Sequence, residues 1–402
     1  MTTFQANDFL TTRAEELEEE TIETRAYLHT YPEVSSEEFE TSKYLKKKVT
    51  ELGLTVEEVP ESTGFTALLD TGKPGKTVGI RTDIDALPIE EHPENLAGKR
   101  KYMSKNPGAM HACGHDGHMA IVLTVIKMLS EIKDKLTGKV YFIFEEAEEI
   151  GAGIEPMIAH LQDKHIDAIY GNHLTSFMGT GTICVDEGPR MAGAILVDFT
   201  IHGKGGHGSR PDLSINPLFA AAQVLSALTN AWANRIDVTK TVTLGLTQIH
   251  GGNANNVIPD KVNIGGSMRF FDEEEGKKAL ELSKKVIQLT AEAHECTAEF
   301  PSTFDIKGKP VMNDPTLATL AQTGIAELMP DALVHDVTWF ASESFNQYIR
   351  IAPTLFAFVG MKNEAYGSGA EHHNNYFDVD DAALKHGVLA TAKFAVDFLT
   401  KA

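Results

Sequence analysis

The chain has 402 residues, 42% of them hydrophobic, and a formal charge of −21, which allows more than one buried core and makes two domains the natural expectation. So acidic a chain is set against nucleic acid and anionic membrane surfaces, because phosphates would be repelled. Three cysteines with no disulfide framework, no run of about 18 apolar residues and an opening Met1–Asp8 without a basic head or apolar stretch lead to the expectation of a cytoplasmic protein with no signal peptide and no membrane span.

In chain order, an acidic amphipathic helix is expected over Phe9–Leu28, and a second helix starts at Ser35-Ser36-Glu37-Glu38. Strands follow at Thr66–Asp70 and Thr77–Arg81, the latter running into Thr82-Asp83-Ile84-Asp85. Met110-His111-Ala112-Cys113-Gly114-His115-Asp116-Gly117-His118 then packs one thiol, three imidazoles and a carboxylate into nine residues, side chains that bind borderline-soft divalent metals. Gly114 would let a tight turn aim Cys113 and His115 at one point. A helix over Gly117–Leu136 places the motif at a helix N-terminus, where N–H groups and the dipole favour a thiolate.

Alone, a Cys-x-His pair is a weak signal. Further ligand types at strand ends strengthen it. Lys139–Phe144 is an apolar strand that exits into Glu145-Glu146-Ala147-Glu148-Glu149. Ile166–Tyr170 ends in Gly171-Asn172-His173. Thr354–Val359 precedes Glu371-His372-His373-Asn374. Carboxyl ends of strands are where open α/β sheets bind ligands. His173 alone reads as a core histidine and Glu148-Glu149 alone as a solvated turn; together with Cys113 and His115 they make a metal hydrolase the better account.

From about Pro189 the pattern becomes strand (Ala194–Ile201), helix (Asn216–Asn234, with Ser214 as N-cap), two strands (Thr241–Ile249, Lys261–Phe270), helix (Glu273–Glu295) and strand (Cys296–Phe300), the order of a ferredoxin-like unit. The α/β pattern resumes with helices around Thr316–Leu328 and Asp381–Lys401. The expected fold is an α/β metal-binding catalytic domain, residues 1–189 and 304–402, with a mixed central sheet flanked by helices, interrupted by an α+β ferredoxin-like lid and dimerisation domain at 190–303.

These residues bring the chain close to a known family. Leu28-His29-Thr30-Tyr31-Pro32-Glu33, Arg81 through Pro88, Met110 through Asp116, Ala147-Glu148-Glu149, Gly171-Asn172-His173, Gly203 through Pro211 and Asn256-Val257-Ile258-Pro259-Asp260 occur in the order found in the metal-dependent amidohydrolases. That family includes aminoacylases, hippurate hydrolases, N-acetyldiaminopimelate deacetylase and plant auxin-conjugate hydrolases, relatives of the co-catalytic zinc carboxypeptidases and dipeptidases. The resemblance runs end to end. It implies two divalent ions per subunit (zinc, manganese, cobalt or nickel) held by Cys113, His115, Glu149, His173 and one of His372 and His373. The spacing to Tyr376-Phe377-Asp378 aligns His373 with the family's ligand.

The resemblance further implies Glu148 as general base, taking the proton of a metal-activated water and passing it to the leaving amine. His207 would stabilise the tetrahedral oxyanion, often in the partner subunit's site. Asn256 and Arg269 are candidate contacts for a substrate carboxylate, although Arg269 could equally pair with an acidic surface residue. Asp83 and Asp116 read as orienters of the ligands. Two departures stand out: Asn374-Asn375 where relatives have Ser or Pro, and Glu145-Glu146 where they have Gln and Pro. The implied activity is hydrolysis of an amide in an N-acyl amino acid or small peptide, by a homodimer joined through the inserted domain. An aminopeptidase or carboxypeptidase of the same superfamily is the alternative. A binder that has kept the scaffold is disfavoured, because it needs no Glu148.

Overall fold

The computed structural model describes residues 5–401; Met1–Phe4, on which the signal-peptide expectation partly rests, lie outside them. The described chain forms two compact units. One comprises the chain through Gly188, Met312–Val337 and the chain from Gln347; the other comprises Pro189–Val311 and Thr338–Asn346.

The first unit is built on a seven-stranded mixed sheet. Its strand order is Thr55–Glu58, Phe65–Asp70, Lys139–Glu145, Thr77–Asp83, Ala168–Gly179, Thr354–Lys362 and Ile183–Cys184. The middle four strands are parallel and the outer ones antiparallel. Parallel strands are covered on both faces and read as continuous apolar runs, and Lys139–Glu145 and Thr354–Lys362 are buried along almost their whole length. The chain leaves Thr77–Asp83 for a neighbour on one side, then crosses back to the other side, so a crevice opens at the carboxyl ends of these strands.

The helix His115–Glu131 is buried except at Lys127, Ser130 and Glu131. Its Met119, Ile121, Val122, Leu123, Val125 and Ile126 belong to the main core with Ile80, Phe142 and Val388. The expected first helix is two, Ala6–Glu16 and Glu18–Thr30, which meet at Leu17. The strand expected to stop at Tyr170 continues to Gly179.

The second unit is an antiparallel sheet in the order Val242–His250, Lys261–Phe270, Gly193–His202, Thr297–Glu299, with Ile306–Gly308 also pairing the third of these strands. Numbered along the chain, the four strands lie 2-3-1-4, the ferredoxin-like arrangement. Helices Pro217–Arg235 and Glu273–Ala293 pack on its core of Phe199, Val224, Met268, Phe270 and Phe304. Asn216, not Ser214, caps the first helix, its side chain accepting the Leu218 N–H, with Pro217 in the first turn. Ile215 is bridged to Lys204 in an extended pairing, which keeps the chain non-helical up to that point. Residues 304–311 and 338–346 fall within this unit, whereas a sequence boundary at 303 leaves them outside it. The reason is Ile306–Gly308, which supplies a strand to the sheet, and Phe304, which supplies a ring to the core. Among the described residues no helix is long and apolar enough to cross a membrane.

Candidate metal centre

Gly114 adopts φ +90° and caps the helix His115–Glu131, a left-handed turn that suits glycine. It puts Cys113 before the helix and His115 in its first turn. The His115 Nδ1 donates to the Asp85 carbonyl at 2.9 Å and lies 3.2 Å from its carboxylate. That leaves His115 Nε2 buried with no hydrogen-bond partner. In the same way His173 Nδ1 donates to the Leu174 carbonyl at 2.8 Å, and its Nε2 lies 3.6 Å from Cys113 Sγ. Each imidazole is therefore held by one nitrogen and turns the other toward the cluster, the usual arrangement of a ligating histidine.

Ligand-type atoms of Cys113, His115 and His173 lie within 4.8 Å of one another, as do those of Cys113, Glu149 and His373, and those of His115, Glu148 and Glu149. These three overlapping groups make one contiguous cluster in the first unit. His373 Nε2 is 3.2 Å from Glu149 Oε2. His372 points elsewhere: its Nε2 donates to the Leu174 carbonyl at 2.9 Å and its Nδ1 lies 3.3 Å from Ser176 Oγ. His118 forms a further close group with Asp83 and His115, but both its nitrogens are engaged. Its Nε2 accepts the Leu174 N–H at 2.9 Å, so Nδ1 carries the proton and donates to Asp83 Oδ1 at 2.8 Å. The strand Ala168–Gly179 pairs with Thr77–Asp83 only as far as Gly171, and His118 takes up the N–H that this overshoot exposes.

The electrostatics fit a cation. Burial alone would lower the His115 pKa, yet Asp83, Asp85 and Glu149 outweigh it and raise it to about 10. A proton is held there by the surrounding negative charge, and a divalent ion would take its place. Burial and the neighbouring His118 and His372 drive the His173 pKa well down, which keeps that ring neutral, the state in which histidine ligates. Glu149 Oε1 is buried without a hydrogen-bond partner, 3.9 Å from His115 Nε2. Two orphaned buried atoms, close but not bonded, are unusual in a folded protein; a cation taking a lone pair from each in place of the His115 proton would satisfy both.

Glu148 and Glu149 sit on one turn of 3-10 helix, Glu148–Ile150, between Ala147 at φ +48° and Gly151 at φ +64°. The Glu149 N–H donates to Asp85 Oδ2 at 3.1 Å, so Asp85 ties the glutamate turn to His115. Behind the site, Arg81 donates to Asp83 at 2.7 Å and to Glu145 at 2.8 Å, and the Tyr348 hydroxyl donates to Glu145 at 2.7 Å. Glu145 is thus a buried carboxylate whose Oε2 accepts from both Arg81 and Tyr348. The Asp116 carboxylate accepts from Arg25 and His29, in a buried ion network with Asp378, Asp381 and Glu91. Sequence reasoning named Asp83 and Asp116 as orienters and missed Asp85 and His118, although both lie inside the quoted motifs.

In the second unit His207 lies on the short hairpin of Gly206–His207 with Val257–Ile258. It is exposed, with Nδ1 accepting from Ser209. His207 and Asn256 line one pocket of about 730 Å³, with His250 and a run of glycines. Arg269 does not line it. It sits at the other end of the strand Lys261–Phe270, about 26 Å from Lys261 at strand rise, half-buried and donating to the Met268 carbonyl.

The model of peptidase family M20/M25/M40 matches residues 79–397. The chain belongs to this family. It is 34% identical to thermostable carboxypeptidase 1 of Saccharolobus solfataricus over 96% of this chain and 97% of that one. It is 36% identical to an N-acyl-L-amino acid amidohydrolase of Geobacillus stearothermophilus over 74% and 79%. Among solved structures it resembles a Bacillus subtilis dinuclear metal binding peptidase of the same family, with a TM-score of 0.83 and 31% identity over 96% and 100% of the two chains. The protein is a metallohydrolase of this family.

Proposed function

We propose that the protein hydrolyses the amide bond of N-acyl amino acids or small peptides at a two-metal centre formed by Cys113, His115, Glu149, His173 and His373. The observation that carries this is the contiguous ligand cluster with the Glu148 carboxylate beside it. Cys113 belongs to two of the triads and Glu149 to two, so Cys113, His115 and His173 would hold one ion and Cys113, Glu149 and His373 the other. A mixed N/O/S donor set suits zinc, manganese, cobalt or nickel. Bound ions would polarise the scissile carbonyl and acidify a water near neutral pH.

Glu148 takes that water's proton and returns it to the leaving amine. Its neighbour Glu149 is turned to the ligand atoms, and Asp85 fixes the direction of that turn through the Glu149 N–H. His207 is assigned to the oxyanion, and Asn256, in the same pocket, to the substrate carboxylate. Arg269, at the far end of its strand, is kept only as a candidate for a carboxylate reached separately. The second unit serves as lid and dimer interface. Its edge strand Val242–His250 has a neighbour on one side only and is largely exposed, the kind of edge that is usually covered. Three free cysteines suit the cytoplasm.

The test is metal analysis of the purified protein together with turnover of a panel of N-acyl amino acids and dipeptides. The reading requires metal in the isolated protein, loss of turnover on chelation and preferential cleavage of N-acyl amino acids. Peptide carboxypeptidase activity is the second reading, favoured by the similarity to the Saccharolobus solfataricus enzyme, and preferential release of C-terminal residues from longer peptides would select it.

A further inference from the structure

The turn that carries Glu148 and Glu149 begins on a strained residue. Ala147 is fully buried and adopts φ +48°, ψ 41°, a left-handed conformation that a residue with a side chain holds only where its surroundings impose it. Gly151, at the other end of the turn, takes the same conformation at no steric cost. Two hydrogen bonds hold Ala147 there, and the first is a backbone bond in which its carbonyl accepts the Ala152 N–H at 3.1 Å. The Ala147 N–H donates to Glu38 Oε1 at 2.8 Å. Glu38 is fully buried, and among the described residues it forms no ion pair. Its other oxygen lies 2.9 Å from Thr63 Oγ, and that hydroxyl also lies 2.7 Å from Glu146 Oε2, which accepts the Thr63 N–H as well. A carboxyl buried without a cation is costly, and burial pushes this one up. Its hydrogen bonds go to the backbone of the glutamate turn and to the threonine that braces it.

We infer that Glu38 is a positioning residue for hydrolysis: by accepting the Ala147 N–H it holds the left-handed entry to the turn and so aims the Glu148 carboxylate at the metal cluster. Glu38 touches neither substrate nor ligand atoms and acts through the backbone. The acceptor matters rather than the charge. A protonated Glu38 would donate to Thr63 and still accept from Ala147, and a carboxamide reproduces that pattern. The inference rests on Glu148 being the general base, and Glu148→Gln is measured alongside to keep the two separable.

The experiment compares kcat, KM and metal content of the full-length metal-loaded protein in four forms: wild type, Glu38→Gln, Glu38→Ala and Glu38→Ala/Ala147→Gly. Glu38→Gln is expected to keep kcat within about threefold. Glu38→Ala is expected to lose about 10–100-fold in kcat, in line with the cost of a small misplacement of a catalytic group, with metal content unchanged and KM within about threefold. The added glycine, which adopts the left-handed turn without help, is expected to recover most of the loss. A Glu38→Ala protein with wild-type kcat overturns the inference, as does a loss that Ala147→Gly leaves untouched, or a folded Glu38→Gln protein that is inactive. Should Glu38→Ala not fold, Thr63→Val, which removes the hydroxyl bracing the carboxyl, is expected to lower kcat about threefold at full metal content, and an unchanged kcat there overturns it equally. Full activity of Glu148→Gln would instead remove the functional reading on which the inference stands.

Discussion

The metal cluster of the first unit and the His207 pocket of the second hold their functional side chains in opposite ways. In the first, His115, His173 and Glu149 stand on or beside a strand or helix end and are gripped from behind, while His373 is exposed and leans on Glu149. Asp85 holds His115 and the Glu149 N–H, Asp83 holds His118, and the Leu174 carbonyl holds His173. In the second, His207 and Asn256 sit on exposed, glycine-rich segments, and the described partner of the His207 ring is its near neighbour Ser209. A buried site whose orienting bonds are made before substrate arrives is preorganised, which keeps metal affinity and geometry high. An exposed histidine on a hairpin leaves its position to be set by substrate or by motion, as in lids. On the proposed roles of these residues, the difference predicts that metal binding and transition-state stabilisation are separable by mutation.

The largest effect expected from that separation is at Cys113, which belongs to two of the ligand groups. Cys113→Ala should lose most bound metal and nearly all turnover, measured by metal analysis and kcat on the same preparation. Retention of both would break the contrast at its first side. Next is His207→Ala. Removing an oxyanion donor costs about 10²–10³-fold in kcat, and here metal content should stay at the wild-type level because the residue lies in the other unit. Metal loss in this variant would mean that the two regions are not separable. A smaller effect is expected at His118. His118→Leu removes the bonds to Asp83 and Leu174 while leaving every ligand atom in place. Loss of such an outer partner typically weakens metal affinity by about 10–100-fold, to be read from competition with a chelator. Unchanged affinity would show that the overshooting strand positions His173 without help.

What the sequence made legible follows from local chemistry. The turn at Gly114 was readable because a glycine between Cys113 and His115 has a local purpose, and the four parallel strands because buried strands are written as apolar runs. The strand–helix order of the second unit was readable for the same reason, since alternation and helical spacing are local patterns. What was missed depends on partners far apart in the chain. Asp85 lies in the quoted run Arg81–Pro88, yet its role comes from His115 and Glu149, which only folding brings to it. Glu38 read as a helix start, and its bond to Ala147 spans 109 residues. The continuation of Ala168–Gly179 past His173 went unseen because Gly171-Asn172 resembles a turn, whereas pairing with Thr354–Lys362 keeps the strand extended. Residues 338–346 carry no periodic pattern that ties them to the second unit. The added charge at Glu145 and Glu146 reads in sequence as repulsion near the site. In the fold Arg81 pairs with the first, which also accepts from the Tyr348 hydroxyl, and Thr63 bonds to the second.

The central claim is that Glu148 performs proton transfer beside a metal cluster it does not help to bind. Metal content and kcat of Glu148→Gln, measured together on the purified protein, test it most directly. The account predicts wild-type metal content with turnover lower by about 10²–10⁴-fold, the usual contribution of a general base. Loss of metal from this variant would make Glu148 a ligand and exchange its role with Glu149, and wild-type turnover would contradict the mechanism outright.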